Sequence, residues 1–446
     1  MSHTHPTRGS PDPLGKSRRD ACLTVALGRP VRHATANGGS SPLPSTHRRH
    51  GLLLSLGIAL FWGSLYVYYP TLAPYAKVLG ANLAQVGLIV GSYGLTQAIL
   101  RIPLGLYADW RGIRKPIAVV GCAISLVGAA GLALARTPQQ VFWFRALTGV
   151  AASTWVASSV MLAGYFPPRR AVRATSLAVF LTAAGQVLGT SSGGVLADWW
   201  GWRAPFLVAA GVAFLGGLVV AQVAEPPSLA ARKPATLGQI VEYARSRQLV
   251  LASLAAALLQ YVSTATTGGF VPLYAQSLGA SPAQLGWVTT VMWVGHGLGA
   301  ALVGILVERL GERRLLLLGA WMMVVTTLAV PFCGSVLLLI GLRAAYGLGA
   351  GSILPVLMGL SIKLVREEGR AAAMGFYQAV YGVGMFVGPW LSGLLANRWG
   401  MAAVFWSGAG VSLGVGFLAL LAASVQEAPQ EGRTSWAPAE GSQHLE

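Results

Sequence analysis

Few side chains in this 446-residue chain could do chemistry, and those few stand in apolar surroundings. Tyr93, Gln97 and Arg101 follow at four-residue steps, which lines them up on one face of a helix. Arg145 and Arg343 also interrupt long apolar runs, as does His296, while all 14 Asp and Glu residues lie at the ends of those runs or outside them. The apolar part therefore offers no paired carboxylates for acid–base catalysis, and the chain has no Walker lysine motif, zinc-binding His-Glu-x-x-His helix or serine nucleophile turn. Gly347-x-Gly349-x-Gly351 sits inside an apolar run rather than at a strand-to-helix turn, so it makes no nucleotide cradle. An enzyme is not expected, nor a metal site or cofactor. A guanidinium costs about 2.5 to 3.5 kcal/mol at mid-membrane on insertion scales, so Arg101 and Arg343 suit a water-filled cavity that receives an anionic group, with structural pairing to Tyr, Gln or carbonyl groups as the alternative.

The apolar runs are the elements that must position these groups. Hydrophobic residues make up 54% of the chain and charged ones 10%, against about 25% charged in a soluble domain. Stretches of roughly 20 apolar residues recur about twelve times between residues 52 and 424, each long enough to cross a hydrocarbon core about 30 Å thick. This pattern predicts an all-α membrane protein. Lys and Arg number 25 in residues 1–50, alternate loops and the tail, but only 4 in the opposite loops, namely Lys77, Arg136, Arg203 and Arg398. That asymmetry places both termini in the cytoplasm, and it assigns the net charge of +18 to membrane topology rather than to nucleic acid.

Two stretches echo one another. Gly105–Lys115, GLYADWRGIRK, and Gly304–Arg314, GILVERLGERR, each end an apolar run with Gly, set an acid four residues on, a second Gly three further, then cations. They stand 199 positions apart, as do Leu79-Gly80-Ala81 and Leu278-Gly279-Ala280, and Trp200-Gly201 and Trp399-Gly400. Arg145 with Gly149 recurs one residue out of step at Arg343 with Gly347. The chain is a tandem duplication. Six-helix bundles are expected over 51–224 and 249–425, with a cytoplasmic linker at 225–248 and polar tails at 1–50 and 426–446 expected to be disordered. Cys22, Cys122 and Cys333 show no metal or disulfide spacing and read as small packing residues.

The duplicated turn resembles the loop signature of the major facilitator superfamily, placed between its second and third spans and again between its eighth and ninth. Arg145-x-x-x-Gly149 is similar to a fourth-span pattern that the family associates with proton-coupled members. Gly185-x-x-x-Gly189-Thr190-x-x-Gly193-Gly194 is similar to the fifth-span pattern of its proton-coupled drug antiporters, which has Pro where Thr190 stands; here the Pro is Pro389, in the eleventh span. The resemblance covers roughly residues 51 to 425. It implies twelve helices in two pseudo-symmetric bundles around a cavity opened alternately to each side, moving a small organic solute across the plasma membrane as antiporter or symporter. It also implies a latch between the bundles, built from Gly105, Asp109, Gly112 and Arg114 with Glu308, Gly311 and Arg313. Asp109 would lie near residues 370–373 and Glu308 near Arg173.

The cavity is expected to be lined by Tyr66, Gln97, Arg101, Trp155, Gln260, His296, Arg343, Tyr346 and Gln378. Arg145 is near enough to the end of its span to snorkel outward, and with His296 it is a candidate for proton coupling. The expected partners are a small-molecule solute, a proton or other coupling ion, and the lipid bilayer, without nucleic acid; a monomer is expected. The glycine pattern leans toward export, without deciding the direction. Uptake of an organic or inorganic anion, and a non-transporting membrane sensor or scaffold, are the alternatives.

Overall fold

A computed structural model describes residues 45–166, 171–226, 238, 242–365 and 369–425, and the elements among them are helices and turns. The first repeat contains α1 Ser45–Tyr66, α2 Leu72–Val78, α3 Leu83–Arg111, α4 Lys115–Leu134, α5 Pro138–Ser153, α6 Trp155–Gly164, α7 Ala171–Trp200 and α8 Ala204–Ala221. The second contains α9 Arg247–Ala265, α10 Val271–Ser277, α11 Pro282–Leu310, α12 Glu312–Ala329, α13 Val336–Lys363, α14 Arg370–Trp399 and α15 Met401–Ser424. Eleven spans among the described residues are long and apolar enough to cross a membrane, counting α5 with α6 and α9 with α10 as one each. The expected span at 52 to 74 corresponds to α1 and α2, with a break at 67–71. The first helix begins at Ser45, inside the stretch read as a tail; the rest of that tail, most of the linker and residues 426–446 lie outside the described residues.

The duplication extends to backbone torsions. Positive φ values occur at Gly80, Gly112 and Gly201, and again 199 positions later at Gly279, Gly311 and Gly400. Only glycine adopts this region without a Cβ penalty of about 1 to 2 kcal/mol, so these turns constrain the sequence in both halves. Capping boxes recur at the same offset. The Asn82 side chain accepts from the Gln85 backbone and the Gln85 side chain from the Asn82 backbone; Ser281 and Gln284 repeat the pair.

The breaks match as well. In the first repeat, residues 67–71 leave the α-helix, with Tyr69 N donating to Tyr66 O and Thr71 N to Tyr68 O. Pro70, between them, has no N–H to continue the ladder. Adding 199 to 67 and 71 gives 266 and 270, and Thr266–Phe270 is a π-helical stretch. Interruptions at corresponding positions of the two repeats leave backbone groups and side chains outside the regular helical ladder in both halves.

The helices alternate direction, so the Gly80, Gly201, Gly279 and Gly400 turns share one face and the Gly112 and Gly311 turns the other. At the Gly80 face, one hydrophobic core joins the repeats: Tyr68, Leu72, Val90 and Phe206 pack with Phe270, Val271, Leu285 and Phe405. Toward the Gly112 face the cores separate. Leu249, Leu316, Leu360 and Ala422 belong to a cluster whose buried members all come from the second repeat, and Leu54, Cys122, Met161 and Val220 to one whose buried members all come from the first. Helix approach distances agree. A Cβ on Gly87 would come within 2.1 Å of the Pro389 carbonyl oxygen and 2.8 Å of Gly393 Cα, and one on Gly194 within 2.6 Å of the Pro282 carbonyl oxygen. Nearer the Gly112 face, a Cβ on Gly304 or Gly375 would meet nothing within 4 Å. Small residues let α3 meet α14, and α7 meet α11, backbone to backbone at the Gly80 face. The perimeter is apolar and exposed, as at Trp143, Trp199, Phe332 and Leu337, where the surroundings are lipid.

Gly87→Val should therefore overpack the closed face by about 1 to 3 kcal/mol, which moves a two-state equilibrium about 5- to 150-fold. Spin-label distances across the α3–α14 contact should lengthen in the variant. An unchanged distance distribution would contradict closure by backbone contact.

Candidate functional site

The three guanidiniums inside the spans are buried, with Arg101 5%, Arg145 1% and Arg343 1% exposed. None has a carboxylate partner among the described residues; the ion pairs there are Asp109–Arg114 and Glu312–Lys363. Hydroxyls and aromatic faces take that role. Arg343 Nη2 donates to Thr267 Oγ1 at 2.6 Å, and its guanidinium carbon lies 4.2 Å from the Tyr346 ring centroid. Tyr346 in turn shares a 2.8 Å hydrogen bond with Ser263. Arg145 Nη1 donates to Tyr68 Oη at 3.2 Å and Thr148 Oγ1 at 3.4 Å, and Arg145 lies 4.1 Å from the Tyr93 ring, with Tyr68 and Tyr69 beside it. A hydrogen bond from a charged donor contributes about 1.5 to 3 kcal/mol and a desolvated cation–π contact about 2. Together they offset a burial cost of about 2.5 to 3.5 kcal/mol, so no carboxylate is required.

These two cages are one motif used twice. Tyr68 and Thr267 stand 199 positions apart, each in the broken segment of its repeat, and each accepts from the arginine of its own half. Arg145 does not snorkel: Tyr68, Tyr69 and Tyr93 retain it.

Arg101 breaks the symmetry, because the position 199 further on is Ala300. Its Nη2 donates to Gln97 Oε1 at 2.9 Å and its Nη1 to the Tyr381 hydroxyl, from α3 of one repeat to α14 of the other. The ring of Tyr381 lies 5.5 Å from the guanidinium. This contact closes the inner end of the α3–α14 interface, one turn beyond the packing of Ala98 on Gly382. Around it an aromatic chain crosses between the repeats. Ring centroids are 5.5 Å apart for Trp155 and Trp62, 6.0 Å for Trp62 and Tyr66, 5.1 Å for Tyr66 and Tyr69, 5.4 Å for Tyr66 and Trp293, and 5.6 Å for Trp293 and His296. Edge-on and stacked ring pairs of this kind give a continuous aromatic wall. Gln260 and Gln378 are half-buried on α9 and α14. An apolar recess of about 550 Å³, lined among others by Leu100, Tyr107, Val120 and Thr154, lies apart from these groups within the first repeat.

At the Gly112 face, Asp109 pairs with Arg114 at 2.8 Å within the turn that Gly112 makes possible at φ 65°. The carboxylate at the α4 N-terminus is Glu225, which accepts from Arg114 N at 2.6 Å and from Lys115 N, where helix amides are unpaired. Beside it Tyr165 donates to the Ala224 carbonyl; burial, and then the charge of Glu225, push its hydroxyl up to about 12. In the second repeat Gly105 and Asp109 correspond to Gly304 and Glu308; Glu308 and Arg313 are exposed, and Glu312 takes Lys363 at 3.4 Å. The side chain of Arg173 lies outside the described residues. Cys122 and Cys333 are free and buried, and burial holds the Cys333 thiol above its usual range.

The model of the major facilitator superfamily matches residues 54–261 and 253–442, both repeats in turn. The chain belongs to this family. Among its relatives is the multi-drug resistance efflux pump PmrA of Streptococcus pneumoniae, 25% identical over 360 residues, covering 79% of this chain and 90% of PmrA. The multidrug resistance protein MdtG of Salmonella choleraesuis is 24% identical over 386 residues, covering 84% and 95%. A bacterial homolog of the human lysosomal transporter Spinster, solved in an inward-facing and occupied conformation, superposes with a TM-score of 0.74 at 17% identity, covering 86% of this chain and 98% of that one. The nucleoside transporter NupG gives a TM-score of 0.69 at 17% identity, covering 86% and 100%. The chain is thus a multi-pass secondary transporter of the major facilitator superfamily, not an enzyme, and its substrate is a small molecule.

Within this fold, Tyr66, Gln97, Arg101, Trp155, His296, Arg343 and Tyr346 fall in or beside the arginine cages and aromatic chain. Reading residue types in isolation passes over Trp62, Tyr68, Thr267 and Trp293 as site residues, yet the 199-residue offset pairs Tyr68 with Thr267. Thr267→Val removes the hydroxyl that accepts from Arg343 while keeping its volume, and should destabilise the protein by about 1 to 3 kcal/mol. Thermal unfolding in detergent measures this. Thr267→Ser should restore the melting temperature; an unchanged value in the valine variant would mean that Arg343 is solvated by other means.

Proposed function

We propose that this transporter exports a small organic solute, taking it up at the Gly112 face and releasing it at the Gly80 face. The observation that carries this reading is the asymmetry of the contact between repeats, one shared core at the Gly80 face and two cores at the other, with the aromatic chain at their junction. Arg111, Arg114, Lys115, Arg309, Arg313 and Arg314 surround the Gly112 and Gly311 turns, so the positive-inside rule assigns that face to the cytoplasm, with both termini on the same side of the plasma membrane. The relatives named as efflux pumps support the direction.

In this mechanism 51–224 and 249–425 rock as two bundles about the site, and the chain works as a monomer. Arg101, Gln97, Tyr66, Trp155, Gln260, Gln378, Tyr346 and Arg343 line the solute path. The Asp109–Arg114 turn, with Gly105 and Gly112, is a latch that engages the start of α14 when the cytoplasmic face closes; Glu308, Gly311 and Arg313 serve the second repeat. His296 exchanges the coupling proton at the edge of the aromatic chain, and Arg145 is the second candidate for coupling. The chemistry fits because imidazole is the span group whose ordinary titration lies near neutral pH.

Everted vesicles test these assignments. A solute that is exported should dissipate an imposed pH gradient when added to vesicles carrying the chain, and Asp109→Asn should slow this several-fold at unchanged membrane insertion. His296→Gln should flatten the pH dependence of transport. Unaltered pH dependence would remove His296 from coupling, and unaltered rates in Asp109→Asn would remove the latch.

A further inference from the structure

Several buried polar atoms among the described residues lack a hydrogen-bond partner, the Tyr377 hydroxyl among them, and four are nitrogens of the arginine and aromatic site. Arg101 Nε and Arg145 Nε are buried with no hydrogen-bond partner, and so are the indole nitrogens of Trp62 and Trp293. All four are donors. Arg101 and Arg145 are 5% and 1% exposed and Trp62 is 7% exposed, so the unmet hydrogen-bonding capacity is deep in the protein. Such groups lack a protein acceptor, which makes them sensitive to any acceptor that enters.

The electrostatics point the same way. The six acidic residues among the described ones, Asp109, Asp198, Glu225, Glu242, Glu308 and Glu312, lie at helix ends or beyond them, away from Arg101, Arg145 and Arg343. A cationic solute entering among three guanidiniums would meet like charge in a low-dielectric setting, whereas an anion would meet unused donors and opposite charge. Arg101 is the focus, for it joins the two repeats through Gln97 and Tyr381 and keeps its Nε free. Tyr66 ties this point to the aromatic chain, its hydroxyl lying within electrostatic reach of Arg145, Tyr93 and Tyr381.

We propose that the transported solute is an organic anion with a flat apolar body. Its acidic group is received by Arg101, and its body lies among the rings of Trp62, Tyr66, Trp155 and Trp293. This rests on the export reading above and deepens it by naming the charge of the solute. An anion seated at Arg101 bridges α3 and α14, the helices that must part and rejoin during alternating access, so solute binding and the conformational change share one residue.

Three probes with the same ring body isolate the charge: 1-naphthoate, 1-naphthamide and 1-naphthylmethylammonium. Binding to the purified full chain is read by quenching of tryptophan fluorescence, and flux is read in proteoliposomes. Naphthoate should bind at least about tenfold more tightly than the amide or the ammonium. Arg101→Gln should abolish that preference and Arg101→Lys should restore part of it, with a thermal melt confirming that each variant is folded. Equal or tighter binding of the ammonium, or binding of none of the three by the folded wild type, would overturn the inference. Flux separates the two readings: transport of the ammonium alone sinks the anion assignment and leaves export standing, whereas binding of naphthoate with no flux in either direction sinks the transport mechanism and leaves the anion site.

Discussion

Arginine in a hydrocarbon span must be solvated by something, and here the protein supplies hydroxyls and ring faces instead of carboxylates. That constraint organises the interior. A hydroxyl can reach a buried guanidinium only from a helix close enough to present it, and the broken segments at 67–71 and 266–270 do so through Tyr68 and Thr267. The price of interrupting a membrane helix is a loss of regular backbone pairing, which i to i−3 bonds in one repeat and a π-helical stretch in the other partly recover. Breaks, cages and duplication are thus one feature seen at three scales.

Asymmetry between the repeats is where transport enters. The Arg145 and Arg343 cages share one hydrogen-bonding plan, each arginine donating to a hydroxyl in the broken segment of its own half, although Tyr69 of the first repeat also reaches toward Arg343 and Gly268. Arg101, Tyr381, Trp293 and His296 have no counterparts, since the equivalent positions hold Ala300, Thr182, Gly94 and Gln97. These unmatched residues lie where the halves meet, and they end the zone in which glycines bring backbones together. Glycine contacts make the Gly80 face a tight seal, and their replacement by bulkier pairs toward the Gly112 face lets the repeats diverge.

Much of this was legible in the sequence. The 199-residue offset, the glycine turns and the charge asymmetry follow from local chemistry that each half must satisfy separately, so they survive in linear form. Arg101, Gln97, Tyr66 and His296 stood out because polar groups in apolar runs are costly. Tertiary contacts were less accessible. That Arg145 turns inward depends on three tyrosines, Tyr93 on α3 and Tyr68 and Tyr69 in the break that Pro70 hints at without specifying. That Glu225, rather than Asp109, caps α4 depends on where α8 delivers the chain, and no spacing within the turn encodes it. Nothing in the linear sequence pairs Trp293 with Tyr66 across the repeats, or Trp62 with Trp155 within the first.

Sidedness of the arginine and aromatic site is the claim on which the mechanism turns. It is tested by placing a single cysteine at Gln378, one turn from Tyr381 toward the Gly112 face, in a chain whose native cysteines have been replaced. A membrane-impermeant maleimide, applied separately to each side of oriented vesicles, reads its accessibility. Labelling from the cytoplasmic side is expected in the absence of solute; labelling from the external side alone would contradict the proposed sidedness.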